Sequence, residues 1–180
     1  MPGGRDALRQ DAEHAAVRPS AAGMISAVPE PVDESGEIDY DLALMLDAED
    51  LAEQGILEAY QQLAPRLAEY GVAAGPVIEN DDSLANHYSV DFDGHRYVVY
   101  GPGVAVEDAW GLATHALFDI VNRQLASTGV QFYAINGGNE LLGIFITPEQ
   151  AERARHALPR KRDWPYLPIP EPPWFGMFHD

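Results

Sequence analysis

The chain has 180 residues, 46% of them apolar, and a formal net charge of −18. That length and apolar content suffice for one domain with a real core. The absence of cysteine excludes disulfides, thiolate catalysis and Cys-based metal sites, and no apolar run approaches the roughly 20 residues that a membrane helix needs.

The charge is unevenly placed. Between Glu30 and Asp93 stand seventeen Asp or Glu and a single base, Arg66, whereas Gly94 to Asp180 holds nine acids against seven bases. A block this acidic repels itself and slightly destabilises the compact state. Solvated faces account for some of it, since acids keep a small protein soluble. Helix chemistry accounts for a little more: Asp47, Glu49, Asp50 and Glu53 sit at a helix start, where each carboxylate contributes about 0.3–1 kcal/mol. Adaptation to high salt would spread acids along the whole chain, and they are not so spread.

Residues 1–36 have few large apolar side chains and no sustained period, so they are expected to form a poorly ordered tail. Met24 is an alternative start to Met1. The Ala-rich stretch at 20–29 follows Arg18 and Pro19 and ends in Pro29, which makes a poor signal peptide and points to a cytoplasmic protein. One α+β domain is expected over 37–158. Its first helix runs from about Asp47 to Tyr70, with an apolar stripe through Leu51, Gly55, Ala59, Leu63, Leu67 and Tyr70. Pro65 predicts a kink or break near Ala64, and Gly71 ends the helix.

A short strand at Val77-Ile78-Glu79 precedes a hairpin, HYSVDF (87–92) and HRYVVY (95–100), closed by Asp93-Gly94. That dipeptide favours the positive φ of a tight hairpin turn. The implied register sets Phe92 against His95, Val90 against Tyr97 and Tyr88 against Val99, with Asp91 paired to Arg96. The face bearing Tyr88, Val90 and Phe92 is the one expected to be buried. A second helix follows from about Val106 to Ser127, with Trp110 at the margin of its apolar stripe. Next comes a second hairpin, VQFYAI (130–135) and LLGIFI (141–146), apolar on both faces and hence central. Thr147-Pro148-Glu149-Gln150 matches a capping box at the start of a last helix that ends before Pro159. Residues 159–180, with six prolines and the aromatics Trp164, Tyr166, Trp174, Phe175 and Phe178, read as an extended segment packing back on the domain. The fold class is α+β. An antiparallel sheet of two hairpins, four to five strands, carries about three helices in the order helix–hairpin–helix–hairpin–helix.

No catalytic, metal or cofactor motif emerges. Gly101-x-Gly103 lacks the third glycine of a phosphate-binding turn, with Val106 in its place. Asn136-Gly137-Gly138-Asn139 could cradle an anion through its amides but suffices as a turn. Asp81, Asp82, Asp91 and Asp93 could gather at one end of the first hairpin, yet the closing Glu of a calcium loop is missing. His87 and His95 fall on opposite sides of the hairpin.

What remains is a charged surface. A negative face attracts a basic partner and speeds association by long-range steering. Enzymes acting on nucleic acid or nucleotides are basic around their sites, and an acidic protein can occupy such a site much as phosphates do. In size, acidity, lack of cysteine and an α+β domain with hairpins such as FYAINGGNELLGIF, residues 37–180 resemble the immunity proteins of bacterial effector–immunity pairs, including those of type VI secretion. The resemblance implies an inhibitor that occludes a cognate toxin acting in the cytoplasm. The surface expected to meet that basic partner comprises Asp47, Asp50, Glu53, Glu79, Asp81, Asp82, Asp91 and Asp93, with Trp164, Tyr166 and Trp174 as aromatic anchors. No nucleic acid or membrane partner is implied, and the chain would be a monomer or homodimer. Two other classes stay open: a small enzyme or ligand-binding domain with a cleft near His87 or His95, and a structural homo-oligomer subunit joined through apolar strands and the aromatic tail.

Overall fold

A computed structural model of the chain describes residues 27–82 and 84–179. In chain order the elements are β1 (Leu44–Met45), the single turn α1 (Ala48–Asp50), α2 (Ile56–Glu69), β2 (Ile78–Asp82), β3 (His87–Phe92), β4 (His95–Tyr100), α3 (Ala109–Leu125), β5 (Gln131–Ile135), β6 (Leu142–Ile146) and α4 (Pro148–Ala157). This is the α+β mixture of antiparallel hairpins and helices that the patterning predicts. The hairpins are divided between two three-stranded antiparallel sheets, ordered β2-β3-β4 and β1-β6-β5. Each hairpin recruits its third strand from the segment just before it or from further upstream, so neither sheet needs a crossover.

The long helix α3 joins the two sheets. It packs against β4 of one, β5 of the other and α2 beside them. Ala113, Ala116, Leu117, Phe118, Ile120 and Val121 are fully enclosed. Phe132 lies between Phe118, stacked on it at 4.4 Å, and Phe145, tilted against it at 4.5 Å. The opposite face of β5 and β6, carrying Tyr133, Ile135, Leu142, Ile144 and Ile146, packs beneath Ala151 and Ala154 of α4. The second hairpin is apolar on both faces for that reason: a helix covers each.

The first hairpin has the expected turn, with Asp93 and Gly94 at φ 47° and 75°, and Tyr88, Val90 and Phe92 are buried. Its register holds from Phe92–His95 to Ser89–Val98, then slips at a bulge so that Tyr88 pairs with Tyr100 in place of Val99. The capping box at Thr147 forms in full, its hydroxyl accepting from the Gln150 amide and the Gln150 side chain accepting from the Thr147 amide.

The first helix departs from expectation. The break comes at Glu53–Gln54, where Gln54 is left-handed at φ 75°, and the helix runs unbroken through Pro65. Pro65 and Gln61 both face solvent, so water can serve the carbonyl that Pro65 leaves without a partner. The kink also resets the helical phase. Ile56, Tyr60, Leu63 and Leu67 form the buried stripe of α2, where the sequence stripe has Gly55 and Ala59. Gly55 is needed for its size, because a Cβ there would lie 2.5 Å from the Asp50 carbonyl oxygen.

Of the segment read as a tail, residues 1–26 lie outside the described residues. Val28 packs on the core, Gln150 Nε2 donates to the Val28 and Pro29 carbonyls, and Arg153 pairs with Glu30 at 2.7 Å. At the other end, Tyr166 forms a two-way backbone bridge with Ala134, and Trp164 Nε1 donates to the Leu158 carbonyl.

Candidate functional site

Asp47 caps α1, its carboxylate accepting from the Glu49 and Asp50 amides and receiving the Asn139 side-chain amide at 3.4 Å. Asn139 also donates to Glu49, so the Asn136–Asn139 turn is locked to α1 by its side chain. The kink after α1 then turns Glu53 and Gln54 outward. Together Asp47, Asp50, Glu53 and Glu58 line a shallow depression of about 420 Å³, whose walls include no lysine or arginine among the described residues. Met45, 77% exposed, stands at its edge. Gln54 Nε2 donates to the Tyr100 hydroxyl, which ties the kink to the first sheet.

Glu79 lies on the inward face of β2. Its carboxylate accepts from the Leu57 amide at 3.0 Å and from the Tyr88 hydroxyl. It thereby supplies the N-terminal cap that α2, with Gly55 at the capping position, cannot make for itself. Burial, and then the Glu79 hydrogen bond, pushes the Tyr88 phenol well above its usual range. Half-buried Glu79 is therefore engaged in holding the fold, one of its carboxylate oxygens serving both donors.

The other hairpin acids do not gather. Asp82 stands opposite His87, and its carboxylate accepts the Leu84 and Ala85 amides in the β2–β3 turn. Asp91 lies near the far end of β3, opposite Ile78, bound to Arg96 by two bonds of 2.7 Å and to Asn80. The Arg96 hydrogen bonds hold its carboxyl below the usual carboxylate range. Asp93 is in the β3–β4 turn, 3.5 Å from Arg123. The pairs Asp81-Asp82 and Asp91/Asp93 are thus separated along β3 by several steps of about 3.3 Å each. Asp81, on the exposed edge strand, opposes Tyr88. Among the described residues, arginines reach four acids of the block, namely Glu30, Glu69, Asp91 and Asp93.

His87 and His95 are on opposite faces as expected. His87 packs on Gly101, where a Cβ would fall 2.7 Å from its ring, and neither histidine lines the cavities described here. Tyr166 is enclosed and its hydroxyl donates to the Asn136 carbonyl at 2.7 Å, so it is a core residue. Trp164 is half-buried against α4, and Trp174 is 64% exposed.

A second concavity of about 520 Å³ lies between the start of α3, the Gly137-Gly138 turn and the C-terminal segment. Trp110, Trp174, Phe175 and Met177 wall it, with Glu107 and Asp108 at one side. Sequence patterning identifies the aromatics of the tail but not their partners on α3, because residues 107–111 and 172–177 are brought together by tertiary packing alone.

Comparison with known protein families, with curated proteins and with solved structures finds no match to this chain.

Proposed function

We propose that this chain is an acidic binding protein that neutralises a basic partner, an immunity protein against a bacterial toxin acting in the cytoplasm. The observation that carries the reading is the depression lined by Asp47, Asp50, Glu53 and Glu58, with no basic residue on its walls among the described residues. Four carboxylates around one concavity focus a negative field outward, steering a cationic surface into contact and raising the association rate. Met45 beside it supplies an apolar anchor of the kind that fills a partner's pocket. Asp81, exposed on the edge strand β2, adds to the acidic surface. Acids along an open edge strand also discourage edge-to-edge pairing, which keeps that surface available to a partner. No helix among the described residues is long and apolar enough to cross a membrane, which agrees with a partner met in solution.

The test is a pull-down from the native cells with the tagged chain, washed at low and then high salt. A single basic protein retained at low salt and weakened at high salt supports the reading. The variant D50N/E53Q/E58Q leaves the Asp47 cap in place and is expected to slow association of that protein about tenfold or more at low ionic strength, with little change near 1 M salt. Unchanged association kinetics would remove the depression as the docking face.

A further inference from the structure

The concavity beside α3 is built differently from the acidic depression, and its chemistry is more specific. Trp110, 40% exposed, lays its ring over Gly138 from one side, about 3.7 Å from where a Cβ would be. Trp174 and Phe175 come from the other side on a backbone held at φ 60° and 48°. Two consecutive bulky residues in the left-handed region cost of order 1–3 kcal/mol each, and such outliers persist only where surrounding contacts impose them. The contacts are visible. Phe175 is seated against Gly111, where a Cβ would fall 1.9 Å from its ring, and its carbonyl accepts the Ile169 amide at 3.0 Å. The Phe175 plug thus leaves Trp174 64% exposed at the cavity wall, with the His179 ring 4.5 Å from its own.

The polar groups of the cavity are unevenly committed. Thr114 donates to the Trp110 carbonyl and Tyr166 to the Asn136 carbonyl. The carboxylates of Glu107 and Asp108, by contrast, make no hydrogen bond or ion pair among the described residues, and Asp108 bonds through its backbone, its amide donating to the Ala105 carbonyl at 3.0 Å. Asp108 occupies the capping position of α3 without bonding its amides. Among the described residues, no lysine, arginine or histidine lines the cavity. Aromatic faces beside two uncompensated carboxylates suit one ligand chemistry, a cation carried on an apolar body. A volume of about 520 Å³ exceeds what one side chain fills and lies in the range of small-molecule sites. We propose that this cavity binds a small organic cation, an alkylated ammonium or guanidinium with an aromatic or aliphatic body, held between Trp110 and Trp174 and neutralised by Glu107 and Asp108.

Titrating the 15N-labelled chain with benzyltrimethylammonium, and separately with its uncharged isostere neopentylbenzene, tests this. The cation is expected to move the amide signals of Gly111, Gly137 and Gly138 and to bind about tenfold tighter than the isostere. The surface variant Glu107→Gln/Asp108→Asn should weaken the cation about tenfold and leave the isostere unchanged. Trp174→Ala, which removes an exposed ring, should weaken both. No movement at these glycines, equal affinity for the two probes, or an unaffected double variant would each overturn the proposal. Displacement of the cation by a short arginine-containing peptide at far lower concentration would assign the cavity to a protein partner instead. None of these outcomes bears on the acidic depression, whose residues are untouched.

Discussion

At the residue scale, Glu79 shows how one carboxylate can be diverted from surface to structure. It is one of seventeen acids in its block, and nothing local marks it out. In the fold it satisfies the Leu57 amide at the start of α2 and the buried Tyr88 hydroxyl together. Glu79→Ala leaves both donors without a partner and is expected to destabilise by about 2–3 kcal/mol. Glu79→Gln retains an acceptor and should cost clearly less. Thermal unfolding of the two variants checks the order, and equal losses would mean the carboxylate acts only as a charge. The same contact has a pH signature. The Tyr88 phenol is pushed above its ordinary value of 10.0, chiefly by burial, and burial likewise raises Tyr97 and Tyr166. Below pH 10 both states keep their phenol protons and stability is intact. Above it the unfolded chain releases protons that the folded chain holds, so stability falls as pH rises. Tyr88→Phe should flatten that alkaline decline in denaturant titrations at pH 9 and 11.

At the scale of elements, the kink between α1 and α2 matters most. A continuous helix would have carried Glu53 and Glu58 around a regular spiral. The left-handed Gln54 breaks the spiral and gathers them beside Asp47 and Asp50. The break depends on Gly55, whose missing Cβ lets the chain approach the Asp50 carbonyl. Gly55→Ala is expected to destabilise by about 1–3 kcal/mol, because the obstacle is rigid backbone and not a movable side chain. A fall of several degrees in Tm checks this, at roughly 2–4 °C per kcal/mol for a chain of this size. A neutral or stabilising result would show the kink to be adjustable. Pro65, the strongest breaker by composition, is harmless in the structure because its face meets water. Breakers act through what surrounds them, and sequence shows only the breaker.

At the scale of the whole molecule, the charge block should govern the response to salt. Among the described residues arginines pair with four of its acids, so mutual repulsion is expected to outweigh attraction. Raising ionic strength from about 10 mM to 150 mM shortens the Debye length from about 30 to 8 Å. Stability is then expected to rise, and to rise less in D50N/E53Q/E58Q, where part of the repulsion is already gone. Urea titrations at the two ionic strengths read this directly. Destabilisation by salt would mean that ion pairs such as Asp91–Arg96 dominate.

Much of the architecture was legible in the sequence, and the reason is that its signals are local. The Asp93-Gly94 turn, the Thr147–Gln150 capping box and the two-residue alternation of the first hairpin each depend on neighbours a few positions away. Even the double-sided apolar pattern of β5 and β6 announced burial on both faces. The grouping into two sheets was not legible, since strand pairing reaches from β1 to β6 across nearly a hundred residues. Nor was the sorting of the acids. The sequence determined that a dense negative block exists, because charge is additive and composition alone counts it. Tertiary structure decided that Glu79 turns inward, that Asp82 and Asp93 belong to opposite turns, and that Asp47, Asp50, Glu53 and Glu58 share one concavity. It also placed Trp110 and Trp174 on the walls of one cavity. Those outcomes follow from how helices and strands are packed, and packing energies depend on pairs of residues that the linear order keeps apart.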